Sequence, residues 1–422
     1  MFALHSAPET RQEGFPEGVE VLDLEGLYLM PGVIDDQVHF REPGLTHKGD
    51  IASESTAAVA GGVTSFMEMP NTRPQTVTQK ALEDKFGIGQ QKSLANYSFY
   101  MGATNENLEE LKATDPVHVC GIKVFMGAST GNMLVDNPDS LSGIFGLKTL
   151  PIAVHCEDES TIKTNLAIAK TLYPDGIPIS QHPVIRNHEA CETSSRLAIS
   201  LAERHGTRLH LLHLSTANEL RFLENATPLE QKQITAEACI HHLWFSSKDY
   251  ERKGALIKWN PAIKDEADRE ALFEAVLNGY IDVVATDHAP HTLAEKQKPY
   301  PECPSGGPMV QHSLLSMLEF FHQGRMALEK IVELMCHNPA RVFAVKDRGY
   351  IREGQAADLV VVDLAKPTII QKDNILYRCG WSPMEGLSMK SAIVHTFVNG
   401  HHVYEKGRIH DSIKGQPLVF SR

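Results

Sequence analysis

From residue 31 onward the chain alternates short apolar runs, rich in β-branched residues, with longer stretches of helical character. No other feature of its 422 residues limits the fold as much. The runs fall at 33–39, 64–68, 98–101, 121–125, 152–155, 209–214, 234–237 and 282–287, eight in all. Helical stretches at 52–60, 79–90, 160–172, 188–204 and 268–277 lie between them. Parallel strands need a crossover connection, so strand and helix in alternation imply a parallel sheet. Eight repeats imply closure, and the expected fold is α/β: a (β/α)8 TIM-like barrel. An open doubly wound sheet is the competing solution. No GxGxxG follows the first run, which argues against its nucleotide-binding form.

The flanks differ from this pattern. Residues 19–30 read as short β segments around Glu25-Gly26, 317–344 as helix, and 348–363 and 391–407 as β again, the last a hairpin about Asn399-Gly400. Asn-Gly is a strong two-residue turn signal. The expected organisation is a barrel over 31–348 and a small β domain built from 1–30 together with 349–422.

Composition excludes several partners. The formal net charge is −13, which disfavours nucleic acid and anionic membrane surfaces, although a local pocket can still reverse the sign. No apolar run reaches the roughly 20 residues of a membrane span. A basic stretch followed by an apolar core, as in a signal peptide, is not visible. The seven cysteines are odd in number, scattered and without a CxxC pair, so a reduced, cytoplasmic setting is expected.

Histidine is the unusual component, at 21 residues. His39 closes the first run, Asn71 follows the second, and Lys123 lies in the fourth. His155 ends the fifth, His213 falls in the sixth, and Asp287 ends the eighth. In a closed parallel barrel these ends share one face, where the catalytic groups of the fold collect. Imidazole and carboxylate suit Zn²⁺ and can leave coordination positions open. Water bound there loses a proton near neutral pH and becomes a nucleophile. Asp287 beside that water could take the proton and pass it to a leaving nitrogen. An ammonium at Lys123 among cations would be costly; a lysine carbamate, formed with CO₂, would instead be an anionic bridge.

These residues sit in stretches that resemble the dihydroorotases of the amidohydrolase superfamily. The first-strand stretch Pro31-Gly32-Val33-Ile34-Asp35-Asp36-Gln37-Val38-His39-Phe40-Arg41-Glu42-Pro43-Gly44 carries the resemblance most strongly. Met69-Pro70-Asn71-Thr72, Gly121-Ile122-Lys123-Val124-Phe125, Val154-His155-Cys156-Glu157 and Leu212-His213-Leu214-Ser215 follow in the family's order. His241-His242-Leu243, Asn260-Pro261, Ala285-Thr286-Asp287-His288-Ala289-Pro290-His291 and Ala357-Asp358-Leu359-Val360 complete the set, which spans about residues 19–407.

The resemblance implies one or two Zn²⁺ ions. His39 would serve one metal, His155 and His213 the other, with Lys123 as carboxylated bridge and Asp287 as ligand and proton shuttle. Arg41, Asn71 and His291 would hold the free carboxylate of dihydroorotate, with Asn260 near the ring. A guanidinium fork suits a carboxylate. Arg41, two residues past His39, is expected on the same strand face by period-two alternation. The family usually has histidine where this chain has Gln37, a neutral and weaker ligand. That leaves open two metals with Gln37 as a poor ligand, two with water in the gap, or one metal.

The implied activity is reversible, metal-dependent hydrolysis of dihydroorotate to N-carbamoyl-aspartate in pyrimidine biosynthesis, by a metal-bound hydroxide, with a homodimer expected. The alternatives are an allantoinase or dihydropyrimidinase, or a non-catalytic relative supporting aspartate transcarbamoylase. The long stretch 288–308 after the catalytic strand reads equally as a solvated loop or a lid.

Overall fold

A computed structural model describes residues 21–127 and 133–422. Strands form at Val33–Val38, Val63–Glu68, Asn96–Phe99 (resumed at Met101–Gly102), Ile122–Phe125, Ile152–His155, Leu209–Leu211, Ile234–Cys239 and Val283–Ala285. Each pairs in parallel with the next. The ring closes where Val38 bridges His288 and the His39 N–H donates to the His288 carbonyl at 2.7 Å. The expected eight-stranded parallel barrel is therefore present.

The crossover helices begin on side-chain caps. Asp50 caps Ile51–Ala60, Asp158 caps Glu159–Leu172, Asn187 caps His188–His205 and Asp265 caps Glu266–Leu277. Each carboxylate or amide oxygen takes a backbone N–H that the helix itself cannot satisfy. In place of one helix over 317–344 there are Ser313–His322, Leu328–Val332, a π turn at Glu333–His337 and Asn338–Phe343. Gly324, in the left-handed region at φ 70°, ends the first piece. Pro339, in the first turn of the last piece, has no N–H for the ladder.

Beside the barrel, Tyr28–Pro31, Leu359–Asp363, Ala392–Val398, His401–Glu405 and Arg408–Ile409 form one antiparallel sheet in that order. Head and tail thus meet through Tyr28–Pro31 and Leu359–Asp363; residues 1–20 lie outside the described residues. Asn399 and Gly400 turn the hairpin with φ of 52° and 79°, as a type I′ turn requires. Val360 and Val362 join the main core, while Leu359 and Val361 face the other way onto Leu27 and Leu29.

The last residues leave this sheet and pass under the barrel. Gly415 N–H donates to Ser93, Leu418 to Tyr97 and Phe420 to Val117, each at 2.8 Å. Leu418 and Phe420 then pack with Phe343, Tyr100, Ile34 and Leu212 in the barrel interior. All seven cysteines are free thiols, and six are buried. Among the described residues no helix is long and apolar enough to cross a membrane.

Candidate active site

The C-terminal ends of the strands surround a cavity of about 860 Å³. Gln37, His39, Arg41, Asn71, Lys123, His155, His213, Asn260, Asp287 and His291 all line it, so every site residue expected from sequence reaches one space.

His39 sits between two partners: Nδ1 is 2.7 Å from the Asn71 amide oxygen, and Nε2 is 3.1 Å from Asp287 Oδ1. The amide oxygen can only accept, so Nδ1 carries the proton. Burial holds the ring below its ordinary pKa. The neutral ring therefore presents a bare Nε2 to a carboxylate, an arrangement that a shared cation would satisfy. Opposite, His155 Nδ1 and His213 Nε2 lie 3.0 Å apart. His155 Nε2 is 3.1 Å from Glu157, which Arg186 also engages. A carboxylate behind a ring nitrogen is the usual orienting partner of a metal-binding histidine. Glu157 is pushed by burial toward the acid form, but Arg186 and His155 outweigh this and hold it at about 2.

Lys123 is buried, and its Nζ has no hydrogen-bond partner among the described residues. Burial pulls its pKa down to about 7, so a neutral, reactive amine is accessible near physiological pH. The orphaned amine and the facing imidazole nitrogens fit a cation with a carbamate-bearing lysine. Gln37 behaves differently: its amide Nε2 donates to Asp287 Oδ1 at 3.1 Å. It turns a donor toward the carboxylate.

Arg41 reaches the cavity by another route than strand alternation. The first strand ends at Val38, and Arg41 has a φ of 71°. A left-handed kink aims the side chain, whose Nε donates to the Pro290 carbonyl at 3.0 Å and whose Nη2 is 3.1 Å from His291 Nε2. Just beyond, Gly44 at φ 81° lies so close to the Arg73 carbonyl that a Cβ would stand 1.9 Å from it. Lys48, which carried no signal in the sequence, lies 3.1 Å from His291 Nδ1. Burial and the neighbouring Arg41 hold His291 well below its ordinary pKa, so the wall carries Arg41 and Lys48 around a neutral ring, with Glu295 paired to Lys48 at 3.2 Å. Ser305 Oγ donates to Asn260 Oδ1 at 2.9 Å, tying the 288–308 stretch to the cavity. That stretch is fastened from below: the buried Lys296 Nζ donates to the carbonyls of Pro304 at 2.9 Å and Gly306 at 2.7 Å.

His241 and His242 are buried beside the site. His241 stacks on Trp259 at 4.3 Å, and His242 Nε2 meets the Pro261 carbonyl at 3.1 Å. Among the described residues the tightest group of metal-capable atoms is elsewhere: Asp36, His210 and Glu237, deeper in the barrel.

Fold and site together define a barrel hydrolase whose polar groups gather at one mouth, and sequence comparison places it. The Amidohydrolase family profile matches residues 148–403, and the chain belongs to that family of metal-dependent enzymes; it is a hydrolase acting on cyclic amides. Curated relatives include the dihydroorotase of Methanothermobacter thermautotrophicus, 32% identical over 92% of this chain and 87% of the relative. An allantoinase of Deinococcus radiodurans is 32% identical, covering 94% and 90%. Among solved structures, the L-hydantoinase (dihydropyrimidinase) of Arthrobacter aurescens superposes with a TM-score of 0.88 at 28% identity, covering 94% of this chain and 90% of that one.

Proposed function

We propose that the chain is a dihydroorotase, interconverting dihydroorotate and N-carbamoyl-aspartate in pyrimidine biosynthesis, with zinc held at the mouth by Lys123 as carbamate, His155, His213, His39 and Asp287. The observation that carries this reading is the cluster of Arg41, Lys48 and His291 lining the same cavity as Lys123 and the paired histidines. Allantoin and dihydrouracil have no carboxylate to place there, whereas dihydroorotate and its product do. Several dihydroorotases among the curated relatives, at about 32% identity over most of the chain, support the same substrate.

When bound, the metal activates water and polarises the ring carbonyl. The protein's residues do the rest. Arg41 supplies a charge-assisted fork to the substrate carboxylate, and Lys48, paired with Glu295, adds a further N–H donor beside it. Asn71, its oxygen engaged by His39, has its amide N–H groups left for the substrate. Asn260, held by Ser305, borders the ring. Asp287 stands where it can accept the proton of the attacking water and deliver it to the departing ring nitrogen. Gln37, donating to Asp287, fixes the carboxylate's orientation and takes no ligand role in this reading. The homodimeric state and the cytoplasmic setting belong to the same reading.

Turnover of dihydroorotate, allantoin and dihydrouracil by the metal-loaded protein tests it. Dihydroorotate should be preferred, and Arg41→Met should raise its KM by about 10- to 100-fold, the worth of a hydrogen bond to a charged group. Preference for allantoin, or an unchanged KM in the variant, would refute the assignment.

A further inference from the structure

One layer below the mouth, three ionisable side chains from three strands face one another inside the barrel. Asp36, His210 and Glu237 are sealed from solvent, and one donor atom from each lies within 4.8 Å of the others. His210 Nε2 is 3.1 Å from Asp36 Oδ2 and 3.9 Å from Glu237 Oε2. Among the described residues, neither Asp36 oxygen, nor Glu237 Oε2, nor His210 Nε2 has a hydrogen-bond partner. Buried polar atoms rarely go without one, and a cluster of four calls for an account.

Thr235 Oγ1 lies 2.8 Å from His210 Nδ1 and 3.3 Å from the Leu209 carbonyl. Thr235 thus satisfies Nδ1, and Nε2 is the ring atom turned to the two carboxylates. Burial opposes charging the ring, but Asp36 and Glu237 outweigh it and hold His210 up at about 9, while burial and Asp36 push the Glu237 carboxyl up. An imidazolium would neutralise one carboxylate and leave the other to be protonated. A divalent cation neutralises both and ligates all three groups at once. Ligands about 2.0–2.1 Å from a tetrahedral zinc ion stand roughly 3.3 Å apart, a spacing that His210 and Asp36 meet at 3.1 Å and that Glu237, 3.9 Å from His210, reaches by a small inward shift.

We propose that Asp36, His210 and Glu237 form a buried divalent-cation site of the zinc type, separate from the mouth and structural in role. The Phe343 ring lies 5.3 Å from His210, and the Tyr100 hydroxyl donates to the Asp36 carbonyl at 3.0 Å. The site's place is telling: Glu237 Oε1 accepts the His213 N–H at 3.0 Å, and Asp36 precedes Gln37. A cation here would lock the first, sixth and seventh strands directly beneath the mouth.

The test uses the full chain, loaded with zinc and then dialysed against a strong chelator. The metals at the open mouth should leave, while about one equivalent per chain remains. Diffraction on either side of the zinc absorption edge should show an anomalous peak between Asp36 and Glu237. His155→Asn should lose mouth metal and keep the inner equivalent; Asp36→Asn should lose the inner equivalent and melt several degrees lower. A zinc-loaded crystal with no anomalous peak at the triad would overturn the proposal, as would a retained equivalent that survives Asp36→Asn. Absence of metal at the mouth alone would count against the dihydroorotase reading and leave this one standing.

Discussion

At the base of the barrel, Leu418 and Phe420 from the chain's end pack with Phe343, Tyr100 and Ile34 in an apolar cluster. At the mouth, Lys123 has no hydrogen-bond partner among the described residues, two histidine nitrogens face each other at 3.0 Å, and Arg41, His213 and Asp287 all hold positive φ. Positive φ in a residue other than glycine typically costs about 1–3 kcal/mol. Such strain persists only where surrounding structure enforces it. The base supplies that enforcement, and the mouth uses it to aim side chains.

The largest effect expected from this division is at Asp287. Asp287→Asn keeps the shape and removes the proton acceptor, so turnover should fall by about 10²–10⁴-fold. Metal content, measured on the same preparation, should hold. A variant with full metal and near-normal turnover would remove Asp287 from the proton path and leave the strain at that position without a function.

Next comes the opposite end. Leu418 is fully buried, and Leu418→Ala opens a cavity that should cost about 2–4 kcal/mol. Chemical denaturation reads this directly, while kcat/KM per folded molecule should not change. A folded Leu418→Ala protein with weakened catalysis would show that the two ends are coupled, and the contrast would fail.

What was legible from sequence follows the same line. Periodicity exposed the strands, because buried parallel strands need β-branched runs, and Asn399-Gly400 marked its hairpin. Matching motifs then brought ten residues to one cavity. Local pattern could not show Lys48, which reaches the site through a loop, or the route of Arg41, set by a single left-handed residue. Nor could it show that residues 415–422 pass beneath the barrel, since that path depends on which strand edges are left open. The inner triad was partly visible: charged Asp36 and polar His210 interrupt apolar runs, but only the closed barrel brings them together with Glu237.

The smallest effect is the sharpest test of the contrast, because here a mutation at the mouth should stabilise. Burial lowers the Lys123 pKa to about 7 from an ordinary 10.5. Between those values the unfolded chain holds a proton that the folded protein refuses. Folding stability of the metal-free protein therefore rises as pH climbs from 7 toward 10.5, and below 7 the full cost of burying the ammonium is felt. The slope from this group is at most about 1.4 kcal/mol per pH unit. Lys123→Met keeps the apolar stem and removes the amine, so in CO₂-free, chelated buffer it should abolish that slope and be the more stable protein at pH 7. Denaturation curves at pH 7 and 9 for both proteins decide it. If Lys123→Met destabilises as Leu418→Ala does, the lysine is packed as part of the core, and the mouth does not draw on stability held elsewhere.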